Sequence, residues 1–135
     1  MSNLDDLRQI GFKRAGVWIS KDDDGIIYEE DKEFTNDENA LYALVVEEDV
    51  RYVGKTARTI RDRMRNYEYA DSSQKTNIKI KGHIKDLHEK GKIVKVYSLI
   101  DDGLIHFGRF HLNLAAGLED DIINKLAPEW NEIGT

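Results

Sequence analysis

Cysteine is absent from all 135 residues, which excludes disulfides and thiolate metal sites. No apolar run approaches the roughly 20 residues of a membrane span. The first residues, MSNLDDLRQIGFK, lack the positive flank and apolar core of a signal peptide. A cytoplasmic protein with no membrane partner is expected. The chain's length suits one domain able to bury a core.

A second absence removes a tempting motif. Tyr52-Val53-Gly54-Lys55-Thr56 invites comparison with a nucleotide phosphate loop, which needs another glycine five residues before Gly54 so that consecutive N–H groups face the phosphates. Asp49 stands there instead, and its carboxylate would repel phosphate. No later apolar strand ends in a magnesium-binding aspartate. An NTPase is excluded, and Lys55 needs another role.

Positive charge is scarce overall, with a net charge of −6, but it is concentrated. Residues 1–50 hold 5 Lys/Arg against 14 Asp/Glu, residues 51–95 hold 13 against 5, and residues 96–135 hold 2 against 7. A basic middle between acidic ends fits one face for a polyanion or, equally, a solvated helix surface.

Periodicity places the elements. Residues 3–9 suit a short helix, and Gly16–Ser20 and Gly25–Glu30 suit two strands around the turn KDDDG. FTNDEN reads as a connector. ALYALVV and VRYVG suit a second hairpin around an acidic turn. Ile60, Met64 and Tyr67 form the stripe of an amphipathic helix capped by Thr59. Residues 69–77 read as polar loop. Ile80, Ile84 and Leu87 mark a helix ended by Gly91, and KIVKVYSLI, residues 92–100, a third central strand. After the turn DDG, residues 112–126 suit a last helix that Pro128 stops. The expected fold class is α+β: a small, mainly antiparallel sheet with three central strands flanked by helices, and an N-terminal β-hairpin extension.

Glu119 stands out. In the last helix Ala115, Ile122, Ile123 and Leu126 share an apolar arc with Glu119 in its middle, while Asp120 and Asp121 point to solvent. A carboxylate on a buried face must be paired, hydrogen-bonded or bound to metal. A buried salt bridge to an arginine and a single-carboxylate site for a hard divalent cation are both open readings. Arg63, at the edge of the stripe of Ile60 and Met64, is the arginine of its helix best placed to face a cleft between helix and sheet, with Tyr67 one turn on. Arg61 and Arg65 lie on other faces.

Five ordered elements resemble the GIY-YIG endonuclease superfamily, which includes phage homing endonucleases, the incision subunit of bacterial nucleotide excision repair and some restriction enzymes. They are Ala40-Leu41-Tyr42, then Tyr52-Val53-Gly54 ten residues on, Arg63 within Ile60–Met64, Glu119 within Gly117–Asp120, and Asn131 after Pro128-Glu129-Trp130. The match covers about residues 39–132. It implies a nuclease domain over residues 39–135 and an acidic extension over residues 1–38 that inherits nothing. Ala40 and Leu41 depart from the first triad, and Tyr67 stands where many members have histidine. Gln74–Ile78 looks like a stretch found in small stand-alone members.

By resemblance the chain is a DNA endonuclease cutting phosphodiesters with one Mg2+ or Mn2+ held by Glu119. Tyr42 would act as base or orienter for the attacking water, supported by Tyr52, with Lys55 and Arg63 as cations favouring its phenolate. Arg63 would stabilise the transition state, Tyr67 would complete the site, and Asn131 would tie the C-terminal segment to it. Lys55, Arg58, Arg61, Arg65, Lys79, Lys81 and Lys85 would meet DNA phosphates. Cutting both strands would need a homodimer or two encounters. The histidine pairs His83/His88 and His106/His111 lack zinc-site spacing, and Trp18 and Trp130 suit packing. Two alternatives are a binding or regulatory module without useful catalysis, and an interaction protein whose acidic first 50 residues cover the basic face.

Overall fold

Ser2 starts the first helix, α1 (Asn3–Gln9), with a reciprocal cap: its hydroxyl accepts from the Asp5 N–H, and its own N–H donates to the Asp5 carboxylate. This computed structural model describes residues 2–21, 25–32, 38–71, 73–100 and 105–131. The three aspartates of the expected turn KDDDG, the turn DDG and part of the FTNDEN connector lie outside them. None of the described helices is long and apolar enough to cross a membrane.

After α1 come β1 (Lys13–Lys21) and β2 (Gly25–Glu30), then β3 (Ala40–Val46) and β4 (Asp49–Thr56). The helices α2 (Ile60–Glu68) and α3 (Lys75–Glu89) follow, then β5 (Lys95–Ile100), a small hairpin of β6 (His106–Phe107) and β7 (Phe110–His111), and α4 (Leu114–Leu126). Five strands form one antiparallel sheet in the order β2-β1-β5-β3-β4.

Helices cover both faces, so every residue of β3 is buried and the strand reads as a continuous apolar run. On one face α2 and α3 pack over Trp18, Tyr28, Tyr42, Leu44 and Val96; on the other α1 and α4 pack over Leu41, Ala43, Val45, Val53 and Tyr97. The first hairpin is integral to this core: Ala15 and Trp18 are fully buried and β1 pairs with β5. Trimming residues 1–35 to uncover a basic face would therefore remove two of the five sheet strands.

Three boundaries differ from expectation. Helix α3 starts at Lys75, inside the expected loop, because Ile78 N–H already bonds Gln74 C=O. Strand β5 starts at Lys95, because Lys92 N–H turns back to Leu87 C=O and closes the helix end. Helix α4 starts at Leu114, because the Asn113 side chain accepts from Ala116 N–H as its cap. The β6–β7 hairpin is a further element, whose two-residue strands carry too little alternation to show in the sequence.

Strand β4 is a sheet edge, and edges invite unwanted pairing. The C-terminal segment covers it. Ala127, at φ 45°, ends α4, and beyond Pro128 the Trp130 N–H donates to Arg51 C=O at 2.7 Å. The Asn131 amide then accepts from Val53 N–H and donates to Val53 C=O, both at 2.9 Å. Trp130 ends on the α2–α3 side, stacked on His83 with ring centroids 4.9 Å apart. The segment thus passes around the edge from one face to the other.

Candidate active site

The candidate residues gather where β3 begins and β4 ends, on both faces of the sheet. Tyr42 lies opposite Gly54 across the β3–β4 ladder, and Leu41 lies opposite Lys55. Alternation along β4 sends Tyr52 and Gly54 to the α2 side and Val53 and Lys55 to the α4 side.

On the α2 side, Tyr42 and Tyr67 are buried with their hydroxyls 2.5 Å apart and their rings edge to face. The half-buried Arg63 donates from Nε to Tyr42 Oη at 3.1 Å and from Nη2 to Asn77 Oδ1 at 3.2 Å, and its guanidinium lies 4.3 Å from the Tyr67 ring centroid. Tyr52 packs on Tyr42 at 6.1 Å between centroids. Among the described residues no carboxylate forms a salt bridge with Arg63. Asn77, in the stretch Gln74–Ile78, belongs to α3 rather than to a loop, and it meets Arg63 only because α2 packs on α3.

Burial pushes the Tyr42 hydroxyl up to about 12; the Arg63 charge and the hydrogen bonds with Tyr67 and Arg63 pull the other way. Tyr67 is raised well above the ordinary value, again first by burial.

Gly54 makes this packing possible. A Cβ there would sit 2.6 Å from Tyr42 Oη, 2.7 Å from its Cζ and 3.0 Å from Tyr52 Cε2. Those rings are held by their neighbours, so Gly54→Ala should cost about 1–3 kcal/mol as overpacking. Thermal melting should show that loss, and any cleavage activity should fall with it because the Tyr42 hydroxyl is displaced.

On the α4 side, Lys55 Nζ stands 3.8 Å from Glu119 Oε1. The cation facing Glu119 is thus a lysine, where the salt-bridge reading had an arginine, and strand alternation turns Lys55 to the face opposite Tyr52 and Gly54. The Glu119 side chain is 19% exposed, and no hydrogen bond reaches its oxygens from the described residues. Burial raises its pKa, Lys55 opposes the rise and Asp120 adds to it. A half-buried carboxylate with open lone pairs, held only by a distant ammonium, fits a hard divalent cation that keeps most of its water. Among the described residues there is no cluster of three or more His, Asp or Glu to hold a metal.

The proposed DNA contacts are unequal. Arg61 is engaged by Glu30 of β2, and Lys81 donates to the Glu68 C=O at 2.7 Å. Arg58, Arg65 and Lys79 are exposed and Lys85 is half-buried. His88 bonds Ser20 Oγ at 2.9 Å, and His106 and His111 are cross-strand neighbours in β6–β7 with ring centroids 5.8 Å apart. Trp18 and Trp130 are buried, as packing residues should be.

No protein-family model and no curated protein matches the sequence. Solved structures do. A glutamate-to-alanine mutant of bacteriophage T4 EndoII superposes with a TM-score of 0.74 at 18% identity, covering 98% of this chain and 99% of that one. The restriction endonuclease HPY188I in complex with product DNA superposes with a TM-score of 0.61 at 16% identity, covering 93% of this chain and 79% of that one. The chain has a GIY-YIG-like α+β fold.

Proposed function

We propose that this protein is a divalent-metal-dependent DNA endonuclease. One observation carries the reading: Arg63 is a half-buried guanidinium held by two neutral oxygens and an aromatic face, with no carboxylate salt bridge among the described residues. A charge withdrawn from water is costly unless an anion meets it, and a phosphodiester is the anion such a fork suits. Lys55, 53% exposed at the end of the edge strand, offers a second cation to the same phosphate backbone. The two nuclease structures of like fold support the same partner.

Glu119 would hold the metal, which when bound lowers the pKa of its water and offsets charge on the phosphate. Arg63 would orient the phosphate and meet the charge that builds on it. Tyr42, whose hydroxyl burial pushes up to about 12, would position the attacking water by hydrogen bonding. Asn131 would keep β4 and the site on it in place.

The test is cleavage of supercoiled plasmid and of duplex, flap, branched and single-stranded substrates with magnesium or manganese against chelator. Nicked product that requires the metal is expected. Salt-sensitive binding without cleavage under every condition would instead favour the binding-module reading. The orienting role predicts that Tyr42→Phe lowers the rate by a constant factor from pH 6 to 9 and leaves the profile's shape unchanged. A loss that grows tenfold per pH unit would restore the base role.

A further inference from the structure

Between β5 and the helix that carries Glu119, the chain raises the β6–β7 hairpin. Phe107 and Phe110 pair across it, 76% and 67% exposed. Rings left in water forgo the burial that drives folding, so adjacent exposed ones signal a partner. Gly108, at φ 60°, supplies the left-handed first position of a two-residue turn, which is why the hairpin can be so short. The Arg109 guanidinium lies 5.3 Å from the Phe110 ring centroid. No Asp or Glu occurs from Ile105 to Asn113.

Topology sets the base of this hairpin toward the helix that carries Glu119. Strand β5 ends at Ile100, opposite Ala40, which on its other side is opposite Thr56. The chain therefore leaves the sheet at the end where Lys55 stands and returns as α4. The hairpin base is closed by Leu112 N–H to Ile105 C=O at 2.8 Å, and Leu112 Cδ1 lies 3.8 Å from where a Cβ on Gly117 would be, two residues before Glu119. Flat rings interleaved with a guanidinium, without carboxylates, match the stacking surfaces on which proteins hold nucleobases. The cation favours this partner over an apolar protein face.

We propose that β6–β7 is a base-stacking wedge, with Phe107 and Phe110 engaging bases next to the phosphate bound at the site, and Arg109 holding the neighbouring backbone. The inference rests on the nuclease reading above. It predicts a preference for DNA whose bases are already unstacked, such as mismatched or branched duplex, since prying a stack apart costs binding energy.

The test measures binding of fluorescent perfect and mismatched duplexes by the Glu119→Ala protein with and without Phe107→Ala/Phe110→Ala. The double change should weaken binding about ten- to a hundredfold and abolish the mismatch preference. Phe107→Trp/Phe110→Trp should retain affinity, whereas Phe107→Leu/Phe110→Leu, apolar but without rings, should behave like alanine. Melting temperatures should match, because the rings are exposed. Wild-type affinity in the leucine or alanine form would overturn the proposal. So would loss of an oligomer, seen by sedimentation, with DNA affinity per protomer unchanged; the hairpin would then be a contact between copies. If the alanine form with Glu119 intact cleaves plasmid and binds DNA like wild type, the wedge falls and the nuclease reading stands. If the wild-type chain neither binds nor cleaves DNA, both fall.

Discussion

Glu119→Gln is expected to abolish metal-dependent DNA cleavage, by about a thousandfold or more, while leaving the protein as stable as before. The size follows from losing the only carboxylate proposed to hold the ion, whose electrostatic effect on the transition state is worth several kcal/mol at about 1.4 kcal/mol per tenfold of rate. The stability half follows from linkage. Burial raises the Glu119 pKa in the folded protein above its unfolded value, so the folded state binds the proton more tightly. Stability from this group is then greatest at low pH and declines as pH rises from the ordinary carboxylate value through the raised one. At neutral pH the ionised carboxylate weighs against folding, and Lys55 at 3.8 Å offsets that only in part. The glutamine variant should therefore melt at or above the wild-type temperature at pH 7, and its advantage should vanish near pH 4. Single-turnover cleavage and thermal melts across pH would check both halves. A variant that cleaves normally, or unfolds, would show that Glu119 serves only the structure.

Arg63→Ala should lower cleavage by roughly a hundred- to a thousandfold, the usual range for removing one group that stabilises transition-state charge. Unlike the Glu119 change it should also cost stability, about 1–3 kcal/mol, because Tyr42 Oη and Asn77 Oδ1 lose a charged donor in a half-buried place. Lysine should not rescue it. One ammonium cannot span Tyr42, Asn77 and a phosphate while lying flat on the Tyr67 ring as the planar guanidinium does. Arg63→Lys should recover part of the DNA affinity and little of the rate. Rates near wild type in the lysine variant would mean that Arg63 supplies charge alone.

The two predictions differ in sign for stability because the two residues came to their places differently. Glu119 was visible in the sequence as a carboxylate within an apolar arc, a conflict that one helix displays by itself. Arg63 was visible as an arginine at the edge of a stripe, but not its neutral company. Asn77 sits 14 residues on, and its contact required α3 to start at Lys75 and pack on α2. The role of Gly54 was likewise hidden, since the tyrosine that needs its missing Cβ belongs to the facing strand.

Local order determined what local forces control: the helix capped by Thr59, the seven-residue buried strand, the stop near Pro128, and the concentration of positive charge in residues 51–95. Tertiary structure alone decided the rest. Lys55 faces Glu119 rather than Tyr42, the acidic first hairpin became two strands of the core sheet, and Arg61 was taken by Glu30. Periodicity along a chain assigns each side chain to a face. Which residue waits on that face depends on sheet order and strand register, and those follow from how both apolar faces are buried at once, a condition no single segment contains.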